Sequence, residues 1–163
     1  MIDVETRALA ERVLAACRAR RWMIATAESC TGGLVAGALT EIAGSSDVVD
    51  RGFVTYSNAA KMELLGVPEA TLKAHGAVSR QTAEAMARGA LARAGVDLTV
   101  SITGVAGPGG GSAEKPVGLV HFAAAAKDGR LIQREKRYGD VGRSEVRRLS
   151  VLEALTMLLE LAP

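Results

Sequence analysis

The sequence predicts an α/β protein: a three-layer α/β/α domain around a mixed sheet with one antiparallel hairpin. Short runs rich in β-branched and aliphatic residues alternate with segments of helical periodicity, which is the pattern of a sheet covered by helices. Lys127-Asp-Gly-Arg130 supplies an Asp-Gly hairpin signal between the last two strand-like runs. An apolar fraction of 48% in 163 residues provides for one core, and residues 1–163 are read as a single domain.

Val4, Leu9, Val13, Ala16 and Cys17 fall near helical spacing and predict a first helix, closed by the basic run Arg18-Ala-Arg-Arg21. Trp22 to Ala27 reads as a buried strand and Thr31 to Ile42 as a helix with Leu34, Val35, Ala38, Leu39 and Ile42 inward. Phe53 to Ser57 is the next strand, and Asn58 is the expected cap of a short helix that carries Lys61 and closes at Leu64-Leu-Gly-Val-Pro68. Ser79 precedes a helix in which Ala83, Met86, Ala87, Ala90, Leu91 and Ala94 recur every three or four residues until Gly95. Strands over Leu98–Thr103, Val117–Ala125 and Leu131–Tyr138 follow, and a final helix runs from about Arg143 to Leu161. Apolar positions on the two terminal helices suit either a homodimer contact or the monomer's own core.

Composition narrows the function. The N-terminal residues are acidic rather than apolar, and no run reaches the roughly 18 to 20 apolar residues of a membrane span, so a cytoplasmic protein with no membrane partner is expected. Cys17 and Cys30 lack metal-ligand spacing and are expected to be reduced thiols, while His75 and His121 form no metal motif, so no metal is anticipated. Aromatic residues are 3% of the chain, too few to stack exposed bases, which argues against single-stranded nucleic acid. Lys127 to Arg148 holds eight basic and four acidic residues, a charge excess better suited to a compact anion such as a phosphate.

Three segments could carry chemistry. Thr26-Ala-Glu-Ser-Cys-Thr-Gly-Gly33 crowds small polar residues where a strand hands over to a helix. Free N–H groups of a first helical turn can hold an oxyanion, and Gly32 and Gly33 would let a substrate approach the backbone. Ser29 is then a candidate nucleophile, although Ser29 or Thr31 could equally cap the helix. Without a histidine in a catalytic setting, Lys61 is the candidate base. Its amine, ordinarily near pKa ~10.4, would need to fall by roughly three units, at a cost of roughly 4 kcal/mol in the folded state. A solvated surface lysine is the plain alternative. The third segment, Ser101-Ile-Thr-Gly-Val-Ala-Gly-Pro-Gly-Gly-Gly-Ser112, matches neither GxxxxGK[ST] nor GxGxxG, which excludes ATP-loop and dinucleotide readings and leaves a pocket wall or a mobile loop. Hydroxyl-rich strand ends converging at one edge suit a single pocket.

At these segments the chain resembles the CinA C-terminal domain family, whose stand-alone members are nicotinamide-nucleotide amidases. The matching text is Thr26 to Gly33, Gly44-Ser-Ser-Asp47, Val54-Thr-Tyr-Ser-Asn58 with Lys61, Leu64-Leu-Gly-Val67, Thr103-Gly-Val-Ala-Gly-Pro108 and Lys115-Pro-Val-Gly118. The resemblance implies hydrolysis of the carboxamide of nicotinamide mononucleotide to nicotinic acid mononucleotide and ammonia, with no cofactor. It implies Ser29 as nucleophile, Lys61 as base, and Tyr56 and Thr103 as groups that relay protons and orient the nucleophile. Backbone at Cys30, Thr31, Gly32 and Gly33, or from Thr103 through Gly104 to Gly107, would bind substrate and oxyanion, with Asn58 beside them.

Tyr138-Gly-Asp-Val-Gly-Arg-Ser-Glu-Val-Arg147 resembles the family's glycine-aspartate-arginine segment, with the arginine displaced by Val141-Gly142. Arg143 and Arg147, four apart on one helical face, are both candidates for a phosphate, and an ordinary basic helix face is the alternative. Cys30 is a rival nucleophile because a helix N-terminus can lower a thiol pKa. A non-catalytic module that binds a nucleotide or a protein is the rival from another functional class.

Overall fold

The computed structural model describes residues 2–163. Five strands lie in the order β2-β1-β3-β4-β5. They are β1 (Ile24–Glu28), β2 (Val49–Val54), β3 (Leu98–Gly104), β4 (Leu119–Ala126) and β5 (Leu131–Arg137), and the helices are α1 (Val4–Arg20), α2 (Leu34–Thr40), α3 (Asn58–Leu65), α4 (Glu69–His75), α5 (Arg80–Ala94) and α6 (Arg143–Leu161). β1 runs parallel to β2 and β3, whereas β3–β4 and β4–β5 are antiparallel, so the sheet is mixed and carries the anticipated hairpin. Helices α1, α2 and α6 cover one face and α3, α4 and α5 the other, giving three layers.

The two faces of the sheet differ because of how β3 alternates. Leu98, Val100 and Ile102 enter the main core with Leu14, Phe122 and Leu155, while Thr99 and Ser101 face α5. There the Thr99 hydroxyl donates to the Ala87 carbonyl at 2.8 Å and the Ser101 hydroxyl to Ala83 at 2.5 Å. Alanines at 83, 87 and 90 let α5 lie close enough for those bonds to form, so the row of hydroxyls is satisfied without water.

Several boundaries differ from expectation. β2 begins four residues early and ends before Thr55, because as an edge strand it pairs only with β1 and its mostly exposed residues carry little periodic signal. Thr31 to Gly33 form a turn, and α2 starts at Leu34. The cap of α3 is Ser57, whose hydroxyl accepts from the Ala60 N–H at 3.0 Å, and Asn58 is already helical. The short helix α4 lacks an apolar repeat, burying only Leu72, and has no counterpart in the sequence reading. In α1 the buried face is Thr6, Ala10, Val13, Leu14 and Cys17, and Val4 is exposed. Val146, Ala154, Leu155 and Leu158 of α6 pack with Ala10, Val13 and Leu14 of α1 in one core, so the apolar positions of the terminal helices close the monomer. Among the described residues no helix is long and apolar enough to cross a membrane.

Candidate active site

Ser29 follows the last residue of β1, and its N–H donates to the Ile102 carbonyl of β3 at 2.9 Å, while the Glu28 carbonyl on the other side accepts from Thr55. The serine is thus fixed by both neighbouring strand ends. Lys61 approaches from α3, held by its helix between the Ser57 cap and Gly66, which takes the left-handed conformation (φ 66°) that glycine adopts without a Cβ penalty. Its Nζ lies 3.0 Å from Ser29 Oγ and donates to the Thr55 carbonyl at 2.8 Å. Lys61 is 0% exposed. Burial pulls its amine down to about 8, against a smaller opposing effect of Cys30.

A cavity of about 280 Å³ opens over this pair. Ser29, Cys30, Tyr56, Lys61, Thr103 and Arg143 stand on its wall. Gly104 at the end of β3 and the β3–β4 loop, including Ala106 and Gly107, supply much of the rest, and Ala77 and Val78 complete it. Ala77 and Val78, which carry no chemical signal in the sequence, were not among the expected positions. Thr103 donates to the Ala77 carbonyl at 2.7 Å, so its lone pairs remain for a ligand. Tyr56 is at the mouth, its hydroxyl 2.9 Å from an Arg143 nitrogen, and the same guanidinium donates to the Gly107 carbonyl at 2.9 Å. Neither Tyr56 nor Thr103 hydrogen-bonds Ser29 or Lys61 among the described residues.

Other anticipated positions lie outside the cavity wall. Asn58 sits in a separate depression with Met62 and Lys73, three positions before Lys61 and on another side of α3. Arg147 does not reach the cavity either; it donates to the carbonyls of Cys30 and Thr31, both at 3.2 Å. Thr31, Gly32 and Gly33 turn back toward α2, and Gly32 donates to the Ser29 carbonyl.

The first turn of α2 is not free to hold an oxyanion, nor do Ser29 or Thr31 cap it. The Val35 and Ala36 N–H groups are taken by the Glu28 carboxyl oxygens at 2.9 and 3.1 Å. The signal available beforehand was indirect: Gly33 offers no side-chain cap, so these donors require another acceptor. The N–H groups of Cys30, Ala106 and Gly107, residues of the cavity wall, find no backbone or side-chain oxygen acceptor among the described residues. Cys30 itself is buried and its thiol is pushed up to about 12, chiefly by burial, which leaves it protonated at neutral pH and a poor nucleophile.

Residues 6–162 match the sequence model of the CinA C-terminal domain. The nicotinamide-nucleotide amidohydrolase PncC of Escherichia coli (strain K12) is 52% identical over 159 residues, covering 97% of this chain and 95% of that protein. The amidohydrolase of the same name from Enterobacter agglomerans is 55% identical over 138 residues, 85% of this chain and 84% of its own. The crystal structure of the competence/damage inducible protein CihA from Agrobacterium tumefaciens superposes with a TM-score of 0.99 at 56% identity, covering 100% of this chain and 99% of that one. With the match spanning nearly its full length, the chain belongs to the CinA C-terminal domain family.

Proposed function

We propose that this chain is a nicotinamide-nucleotide amidohydrolase that converts nicotinamide mononucleotide to nicotinic acid mononucleotide and ammonia through a Ser29–Lys61 acyl-enzyme. The observation that carries the reading is the 3.0 Å contact between a buried, depressed lysine amine and a serine hydroxyl at the floor of a cavity. A neutral amine can donate to the Thr55 carbonyl while directing its lone pair at the Ser29 proton, which is the arrangement a general base needs. Relatives bearing the amidohydrolase name over most of their length support the substrate.

In the first half-reaction Ser29 Oγ attacks the carboxamide carbon and its proton passes to Lys61 Nζ. The oxyanion is held by N–H groups of the cavity wall, those of Cys30, Ala106 and Gly107 being among the available donors. Collapse breaks the C–N bond as Lys61 returns the proton to the leaving nitrogen, and ammonia departs. Water then adds to the ester, its proton goes to Lys61, and the second collapse restores Ser29 and releases the carboxylate.

Thr103 accepts from the carboxamide N–H, using the lone pairs its bond to Ala77 leaves open. Arg143 is the phosphate ligand, because its guanidinium stands on the cavity wall and at its mouth, whereas Arg147 lies outside the cavity on the Cys30 and Thr31 carbonyls. Tyr56, beside Arg143, orients that guanidinium at the mouth.

The test is product analysis after incubation of the purified protein with nicotinamide mononucleotide, with Ser29→Ala alongside. Stoichiometric ammonia and nicotinic acid mononucleotide, lost in the variant, are expected. Tight binding without turnover by the unmodified protein would replace this reading with that of a nucleotide-binding module.

A further inference from the structure

Seven residues make α2 a short helix, and Gly33 precedes it in the left-handed region (φ 98°) with no side chain to cap it. Leu34 N–H finds the Thr31 carbonyl and Gly37 N–H finds Gly33, which leaves Val35 and Ala36 as the donors in need of acceptors. Both are met by one side chain from the preceding strand: Glu28 Oε1 accepts from Val35 and Oε2 from Ala36. The Thr26 hydroxyl gives the same Oε2 a further bond at 3.2 Å. Glu28 is 0% exposed, and a carboxyl group in that setting persists only because several donors meet it.

Residues 28 and 29 point to opposite sides of the strand end. Glu28 reaches toward α2 on one side, and Ser29 faces Lys61 of α3 on the other. The turn between them is gripped from outside as well, since the Arg147 guanidinium takes the Cys30 and Thr31 carbonyls. Gly52 of β2 supplies the room: a Cβ there would stand 2.9 Å from the Thr26 hydroxyl and 3.1 Å from Ala36 Cβ.

We infer that Glu28 is a positioning residue for the nucleophile: by accepting from the Val35 and Ala36 N–H groups, where Gly33 has no side chain to do so, its carboxyl fixes the turn that follows Ser29 and holds the Ser29 hydroxyl toward Lys61. The inference rests on Ser29 being the nucleophile. A displacement of about 1 Å at a reacting atom can cost about 100-fold in rate, so the effect of loosening the turn is measurable. Glu28→Gln keeps the shape but sets an NH₂ group against one of the two backbone N–H donors.

The experiment compares Glu28→Gln, Thr26→Val and Ser29→Ala with the unmodified protein. The readouts are turnover of nicotinamide mononucleotide, KM, the pH–rate profile, and the rate of Ser29 labelling by a fluorophosphonate, all normalised to folded protein. Glu28→Gln is expected to lower kcat and labelling 10- to 100-fold, with KM within threefold and the apparent pKa of the profile unmoved, because Lys61 is untouched. Thr26→Val, which removes one donor to the carboxyl and keeps its size, should lower kcat about threefold, and it carries the test if Glu28→Gln does not fold. Unchanged kcat and labelling in whichever of the two variants is folded, beside an inactive Ser29→Ala, would overturn the positioning role alone. Full turnover by Ser29→Ala would remove the nucleophile reading and this inference with it.

Discussion

Lys61 Nζ stands between two oxygens, the Thr55 carbonyl at 2.8 Å and the Ser29 hydroxyl at 3.0 Å. An ammonium could donate to both, but only the neutral amine can accept the serine proton. With the amine drawn down to about 8 by burial, the neutral form is a minority at pH 7 and dominant by pH 9. The value of kcat/KM, which reports the free enzyme, should therefore rise tenfold per pH unit below about 8 and level off above it. Ammonia release measured between pH 6 and 10 checks this, and a profile flat from 6.5 to 9 would exclude Lys61 as the base.

The same shift bears on stability. In the unfolded chain the lysine binds its proton up to its ordinary value near 10.5, whereas the folded state releases it near 8. Between those values the unfolded state holds more protons, so the folded protein gains stability as pH rises through that window, and the full cost is present below pH 8. At about 1.4 kcal/mol per unit the upper bound is about 3.5 kcal/mol, and solvent in the open cavity reduces it. Lys61→Met should abolish turnover while its melting temperature, relative to the unmodified protein, falls by several degrees between pH 7 and pH 10.5. An offset independent of pH would mean that the buried amine carries no such cost.

The extent to which all this could be read from residues alone follows the range of the interactions. Helix α5 appears where periodicity, the Ser79 cap and Gly95 place it, because those signals are local, and helix α6 runs over the expected Arg143 to Leu161. The antiparallel hairpin is equally local, set by its turn. Ser29 and Lys61 could be singled out by residue type and by resemblance to a family, yet their contact spans 32 positions and depends on β1 pairing with β2. Glu28 was invisible as a cap for a related reason. Its acceptors meet donors seven and eight positions on, across a turn, rather than within one helical turn where capping patterns are defined. Arg143 and Arg147 look alike in sequence, and only the packing of α6 against the nucleophile turn separates them.

That separation is testable. If Arg143 binds the phosphate, Arg143→Ala removes charge-assisted hydrogen bonds worth about 1.5–3 kcal/mol, or roughly 10- to 100-fold in KM for the mononucleotide. The riboside lacking the phosphate should show little change. Arg147→Ala should instead depress kcat for both substrates, since it releases the Cys30 and Thr31 carbonyls. Equal KM effects of the two substitutions on the mononucleotide, with none on the riboside, would return both arginines to phosphate binding.

Cys30 offers a contrast with its neighbour. Its thiol, held protonated by burial, is not a competent nucleophile near neutral pH, but its backbone lines the cavity. Cys30→Ala should retain activity within about threefold and lose about 1 kcal/mol of stability from the small cavity created. Loss of turnover in Cys30→Ala with activity preserved in Ser29→Ala would reverse the assignment.

Gly89 tests how the helix that carries the lysine is seated. A glycine inside a helix ordinarily destabilises by about 0.5–1 kcal/mol relative to alanine, so Gly89→Ala would be expected to stabilise α5 on propensity alone. The close approach of α3 decides otherwise, for a Cβ at residue 89 would stand 1.9 Å from the Leu65 carbonyl oxygen, a backbone atom that cannot rotate aside. Relief requires α3 to move away from α5, and α3 carries Lys61 four residues before Leu65. Gly89→Ala should therefore lower the melting temperature and reduce kcat together, with KM nearly constant because Arg143 and Thr103 lie on other elements. A gain in melting temperature with full activity would show that helix propensity outweighs this contact and that the Ser29–Lys61 distance does not depend on it.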